Sequence, residues 1–214
     1  MNKPQKGLFP FYLITIDDDD ETTGIEYNSV VDYPAHMRAF EMYGKKKKRQ
    51  YFIDEEQRMI TGVVIAEGTP IFRDDQQLGK HYVVFTAPEI KKMWLRFKRN
   101  QFNNRVNKQH NLEDIVKPGA KGIYMVNDWF VDEEKGGGVP KSLRNQGIRP
   151  GSLIATYKIE DPKLWADMKS GKYNGFSIEG MFIKYSVDVK KISGSENAIE
   201  RHNMVRKIIK KLIR

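Results

Sequence analysis

The hydrophobic pattern along this chain switches between two periods. Residues 8–16 form an apolar run of one strand's length. Residues 30–35 read as an extended segment entering a turn, because Pro34 steers Tyr33 away from helix. Residues 59–66 are β-branched and apolar, as a buried strand requires, and 82–85, 122–130 and 152–159 carry the same signal. Gly68-Thr69-Pro70 marks a turn between the first two of these. The period then becomes helical: Ile90, Met93, Trp94 and Phe97 share one face, behind the capping box Thr86-Ala87-Pro88-Glu89. A shorter helix opens at Asp161-Pro162, with aspartate as cap and proline in the first turn. It turns Leu164, Trp165 and Met168 inward and stops at Gly171. Residues 132–143, with three consecutive glycines, predict a long flexible loop, and 175–187 a last strand. Ser193-Gly194-Ser195-Glu196 is a second capping box before an amphipathic helix with Val205, Ile208, Ile209, Leu212 and Ile213 on one face.

Strands outnumber helices and do not alternate with them, which excludes a doubly wound parallel sheet. The predicted class is α+β, a mainly antiparallel β-sheet or barrel with flanking helices. Three pieces are expected: 1–50, an N-terminal strand with charged loops; 51–188, the main domain; and 189–214, a basic amphipathic C-terminal helix.

Charge changes this picture less than the total suggests. The formal net charge is +9, but residues 190–214 hold eight Lys/Arg against two Glu, so +6 sits in the tail. The rest is only mildly basic, which weakens a global nucleic-acid-binding reading. The tail suits packing on its own domain or on a partner helix first, anchoring to an acidic surface next, and membrane binding third. The basic run Lys45-Lys46-Lys47-Lys48-Arg49 reads as an exposed loop, with contact to nucleic acid or an acidic partner as its other use. Asp17-Asp18-Asp19-Asp20-Glu21 is a like-charge block that must be solvated, and its spacing matches no calcium loop. The absence of cysteine excludes disulfides, cysteine-based zinc sites and a cysteine nucleophile. No apolar run reaches the roughly 20 residues that span a bilayer. A soluble, cytosolic protein without membrane contact is expected.

The chain has no GxGxxG after a strand, no Walker loop and no Gly-x-Ser-x-Gly elbow. Among its four histidines none has a second at helical spacing, so no zinc site of that kind is expected, and no cofactor. His36 falls in a turn, His81 at the start of a strand and His202 on the tail helix. His110 stands apart, after the long helix, in Asn107-Lys108-Gln109-His110-Asn111. Ser177 lies in Asn174-Gly175-Phe176-Ser177-Ile178-Glu179-Gly180. An imidazole can take a proton near neutral pH. A serine becomes a nucleophile when such a base is within hydrogen-bond reach. Together they make the chain a candidate serine hydrolase, with histidine preceding serine.

The order of pieces is recognisable. Ile60-Thr61-Gly62 and Pro70-Ile71-Phe72-Arg73 come first, then Tyr82-Val83-Val84-Phe85-Thr86 with its helix and the His110 segment. Val126-Asn127-Asp128-Trp129-Phe130, Gly151-Ser152-Leu153, Lys158-Ile159 with Trp165, and the Ser177 segment through Phe182 follow. Val31-Asp32-Tyr33-Pro34-Ala35-His36 leads them. Across roughly two thirds of its length the chain resembles the phage prohead (capsid maturation) serine proteases, most closely the XkdF-like branch. That resemblance implies the fold of herpesvirus assemblins, a small, largely antiparallel barrel ringed by helices, with 51–188 as the protease domain. It implies His110 as general base and Ser177 as nucleophile. Relatives place a glutamate where this chain has Asn127. Asp128, beside it, becomes a candidate third member, although adjacent strand residues point to opposite faces and only one of the two can face the site. Glu179, on the face of Ser177, is the alternative. The implied function is a serine endopeptidase of bacteriophage head maturation, cutting scaffold protein, major capsid protein or itself through an acyl-enzyme on Ser177. The host cytoplasm during assembly and the interior of the prohead or virion are the expected locations, and self-association is compatible. The alternative is a catalytically inactive relative serving as a capsid- or scaffold-binding module; a nucleic-acid-binding protein using its basic tail is a third reading.

Overall fold

The computed structural model describes residues 9–34, 52–54, 58–114 and 122–187. The basic run at 45–49, His36, His202 and the predicted tail helix lie outside them. Among the described residues there are eleven strands: β1 (Phe11–Thr15), β2 (Gly24–Val31), β3 (Phe52–Asp54), β4 (Met59–Ile65), β5 (Ile71–Asp75), β6 (Gly79–Phe85), β7 (Val106–Lys108), β8 (Ile123–Phe130), β9 (Leu153–Ile159), β10 (Gly175–Met181) and β11 (Ile183–Val187). Two α-helices accompany them among the described residues, α1 (Ala87–Arg99) and α2 (Pro162–Ser170). The class is α+β. The strands form three open sheets, ordered β11-β1-β6-β5, β10-β2-β7 and β3-β4-β9-β8. Pairing is antiparallel except for β1 with β6 and β2 with β7.

The expected barrel is therefore corrected: among the described residues no single hydrogen-bonded cylinder closes. One cause is visible in the segment 175–187, expected as one strand. The register of β10 against β2 shifts between Glu179 and Gly180. Gly180 there lies so close to β2 that a Cβ would sit 1.8 Å from the Gly24 carbonyl oxygen. Such a bulge bends the strand, and after Phe182 the chain leaves the second sheet and pairs with β1 in the first. The segment before residue 50 supplies β1 and the central strand β2, so it is built into the same sheets as the rest.

A main apolar core joins the elements, with a smaller cluster of Val131, Leu143 and Ile154 beside it. Trp94 and Phe97 stack at 4.7 Å on the inner face of α1, and Tyr157 meets Phe176 at 5.0 Å between β9 and β10. The α2 boundary signals hold: Asp161 accepts from the Lys163 and Leu164 amides, and Gly171 takes φ +80°. The capping box at Thr86 does not form. Thr86 makes no side-chain cap, and Glu89 instead accepts a 2.5 Å hydrogen bond from Thr15 Oγ1 of β1. Tertiary contact outcompetes the local one. The acidic block is exposed on its carboxylate side, but its backbone is gripped from within. The nearly buried Arg96 guanidinium donates to the carbonyls of Asp17, Asp18, Asp20 and Thr23. The glycine-rich loop is likewise more ordered than its composition suggests, with short 3-10 turns at Glu133–Lys135 and Lys141–Gln146 and a bridge between Asp132 and Gly137.

Candidate active site

The site grows from the three-stranded sheet. In its register Ser177 of β10 faces Ser29 of β2, and Ser29 faces Asn107 of β7. Directly opposed residues share a face, and so does Glu179, two residues beyond Ser177. The opposite face carries Val30 and Phe176 into the core. It also carries Asn28, whose Nδ2 donates to the Tyr157 hydroxyl at 2.7 Å. One sheet thus has an apolar side and a polar side, and the polar side is nearly closed to water: Ser29 is 0%, Asn107 1% and Ser177 4% exposed. Buried polar groups must find partners, and Ser29 and Asn107 find each other across the β2–β7 pairing.

His110 reaches the row from a tight turn. After β7 the chain reverses through Lys108-Gln109-His110-Asn111, closed by the Asn111 amide on the Lys108 carbonyl at 2.9 Å. Gln109 and His110 have φ of 51° and 61°, the left-handed signs of a type I′ hairpin turn. Neither is glycine, so the turn carries strain of about 1–2 kcal/mol per residue. Neighbouring strands hold it: the Gln109 amide extends the β7 ladder onto the Val30 carbonyl at 3.0 Å, and its side chain accepts from the Asp32 amide. The result aims the imidazole back over the polar row.

There His110 Nδ1 lies 2.7 Å from Glu179 Oε1 and 3.1 Å from Ser29 Oγ. A carboxylate only accepts, so Nδ1 carries the proton and donates it to Glu179, leaving the Nε2 lone pair free. Asn107 Nδ2 donates to the same carboxylate oxygen at 3.2 Å. Ser29 Oγ stands 2.6 Å from Asn107 Oδ1 and 2.8 Å from Glu179 Oε1, and its single proton serves one of these acceptors at a time. Burial pushes the Glu179 carboxyl upward, but the hydrogen bonds from His110, Ser29 and Asn107 outweigh it and hold the group below the usual glutamate range.

His110, Ser177 and Glu179 line one cleft of about 470 Å3. Its walls include Ile14, Val83, Phe85 and Phe182, and Arg73, Lys184 and Tyr33 complete it. Of the residues singled out in the sequence, then, three converge. Asp128 does not join them. Its Oδ2 accepts from the Trp94 indole at 2.7 Å and its Oδ1 from Lys98 Nζ at 2.5 Å, which ties β8 to α1. Asn127 is exposed on the same strand, where its Oδ1 accepts from the Asp128 amide. His81 is fully buried and donates from Nδ1 to the Gly79 carbonyl at 2.8 Å. Among the described residues no cluster of three or more His, Asp or Glu side chains could hold a metal, and no helix is long and apolar enough to cross a membrane.

Sequence reasoning missed Ser29 and the part played by Asn107. The available signal was weak: Ser29 adjoins the apolar pair Val30-Val31 in Gly-Ile-Glu-Tyr-Asn-Ser-Val-Val, directly before the extended segment at 30–35.

No curated protein and no solved structure matches the chain. The sequence model of one family, described as "Putative phage serine protease XkdF", matches residues 49–185, more than half of the chain, and the chain belongs to that family.

Proposed function

We propose that this protein is a serine endopeptidase of phage head maturation, with Ser177 as nucleophile, His110 as general base and Glu179 as the group that orients the base. The observation that carries this reading is the 2.7 Å contact between His110 Nδ1 and Glu179 Oε1, with the imidazole in the same cleft as the Ser177 hydroxyl. A carboxylate on Nδ1 fixes the tautomer that leaves Nε2 basic, which acyl transfer requires of its base. Among the described residues the polar partners of His110 are Glu179 and Ser29, and its approach to Ser177 is left to substrate binding: in free enzymes the separation of nucleophile and base is often long and tightens in the complex.

The chemistry follows. His110 Nε2 takes the Ser177 proton as Oγ attacks a peptide carbonyl, and the imidazolium formed is stabilised by Glu179. Collapse of the tetrahedral intermediate breaks the C–N bond, and the proton passes to the leaving amine. Water, deprotonated by the same imidazole, then releases the acyl group from Ser177. The substrates would be scaffold and major capsid protein, and the chain itself, inside the assembling head in the host cytoplasm. Glu179 takes the role considered above for Asp128, because Asp128 is engaged by Trp94 and Lys98.

The test is co-expression of scaffold and capsid protein with wild type or Ser177→Ala, followed by gel electrophoresis. Cleavage lost in the variant supports the assignment. Undiminished cleavage rejects it in favour of a structural module.

A further inference from the structure

The first sheet presents a face to the same cleft. In its register Arg73 opposes His81, Ile14 opposes Phe85, and Ile14 opposes Lys184. Opposed and alternate residues share a face. Ile14, Arg73, Val83, Phe85 and Lys184 therefore stand together as the wall across from Ser177, apolar in the middle and cationic at its ends.

The two cations are not equivalent. Lys184 Nζ donates to Asp75 Oδ2 at 2.8 Å and lies 3.4 Å from His81 Nε2. That hydrogen bond, with one from the Leu78 amide, holds the Asp75 carboxyl down to about 2. Lys184 is thus already compensated. Arg73 donates from Nη1 to the carbonyl of its neighbour Phe72 at 3.3 Å, and among the described residues no carboxylate pairs with it. Burial disfavours its charged form. The carboxylate that lines the cleft, Glu179, is occupied by His110, Ser29 and Asn107. A half-buried guanidinium facing a cleft without a counter-charge is complementary to an anion. Its planar fork of donors fits a carboxylate in two places at once.

We infer that Arg73 is a specificity-determining residue, which pairs with the side-chain carboxylate of an aspartate or glutamate in the bound peptide, so that the protein cuts close to acidic residues. This rests on the peptidase reading. A substrate carboxylate would neutralise Arg73, while the apolar wall between Arg73 and Lys184 accommodates the neighbouring aliphatic side chains.

Two arms test it. In the first, a proteome-derived peptide library with blocked termini is digested by wild type, Arg73→Gln and Arg73→Lys, and cut sites are mapped by mass spectrometry. Aspartate or glutamate should be enriched at one position near the cut by roughly tenfold, the scale of a charge-assisted hydrogen bond. Arg73→Gln should lose the enrichment and Arg73→Lys should keep most of it. Cutting by wild type without acidic enrichment, or equal enrichment in Arg73→Gln, overturns the inference. In the second arm the non-cutting Ser177→Ala protein binds a fluorescein-labelled, end-capped (Gly-Ala-Val-Glu)3 peptide or its glutamine counterpart, read by anisotropy. The glutamate peptide should bind roughly tenfold tighter. Adding Arg73→Gln should erase the difference, and adding Lys163→Gln, on the exposed side of α2, should not. Equal binding of the two peptides overturns the inference. If wild type cuts nothing, the peptidase reading fails and this arm judges Arg73 alone.

Discussion

Replacing Glu179 by glutamine is the most informative single change. The side chain keeps its shape, but one oxygen, Oε1, meets His110 Nδ1, Ser29 and Asn107 together, so glutamine turns either its carbonyl or its amide nitrogen to all three. What changes is the partner of His110 Nδ1, now 2.7 Å from a carboxylate oxygen. A carbonyl there still accepts from Nδ1 but brings no charge to stabilise the imidazolium that forms when Nε2 takes the Ser177 proton; an amide nitrogen there donates, drives the imidazole proton to Nε2 and removes that lone pair. Loss of a buried orienting carboxylate costs a factor of about 10⁴ in turnover in a well-studied triad. The Glu179 side chain is 28% exposed, so water replaces part of what is lost. The expected drop in turnover is therefore about 10²- to 10³-fold, or about 3–4 kcal/mol in barrier height. The assay is the initial rate of scaffold cleavage by purified protein at neutral pH, with thermal melting run alongside. A folded Glu179→Gln protein that cuts within about threefold of wild type would refute the orienting role.

The same residue sets an acid limit on stability. Its folded value lies below the ordinary 4.5, so its contribution is complete above 4.5 and is lost as pH falls through the folded value. Urea midpoints measured downward from pH 6 should therefore fall more for wild type than for Glu179→Gln; parallel curves would contradict this. Asp128→Ala should leave cleavage per folded molecule unchanged but destabilise by about 1–3 kcal/mol, because the buried Trp94 N–H loses its acceptor. A large loss of cleavage by fully folded Asp128→Ala protein would return it to the site. Gly180→Ala places a methyl against the Gly24 carbonyl and should cost about 1–3 kcal/mol in chemical denaturation; a neutral result would mean that the bulge yields freely.

Much of this was readable in the chain where one residue's own chemistry decides. The faces of α1 and α2, the Asp161 cap and the Gly171 stop depend on neighbours within a turn or two, and they stand as expected. The failures occur where distant strands compete. Glu89 left its capping box because Thr15 offered a buried hydroxyl. β5 is short and half polar, so periodicity passed over it, and only pairing with β6 makes it a strand. The candidate site shows the same division. His110 and Ser177 were legible by residue type and surroundings. The choice between Asp128 and Glu179 as neighbour of the imidazole was a question of register, which no local pattern encodes. Ser29 stood outside the recognised core of motifs and looked like any strand serine.

The position of β2 has a practical consequence. Residues 24–31 precede the span matched by the family model, yet they lie between β10 and β7 and hold both by their backbones. A fragment trimmed to the matched boundaries would leave two raw edges where the middle strand had been. It would also take away the hydroxyl lodged between the amide and the acid. Anyone excising the matched unit by homology limits should expect inclusion bodies; a soluble, folded piece requires the cut to fall ahead of the first strand.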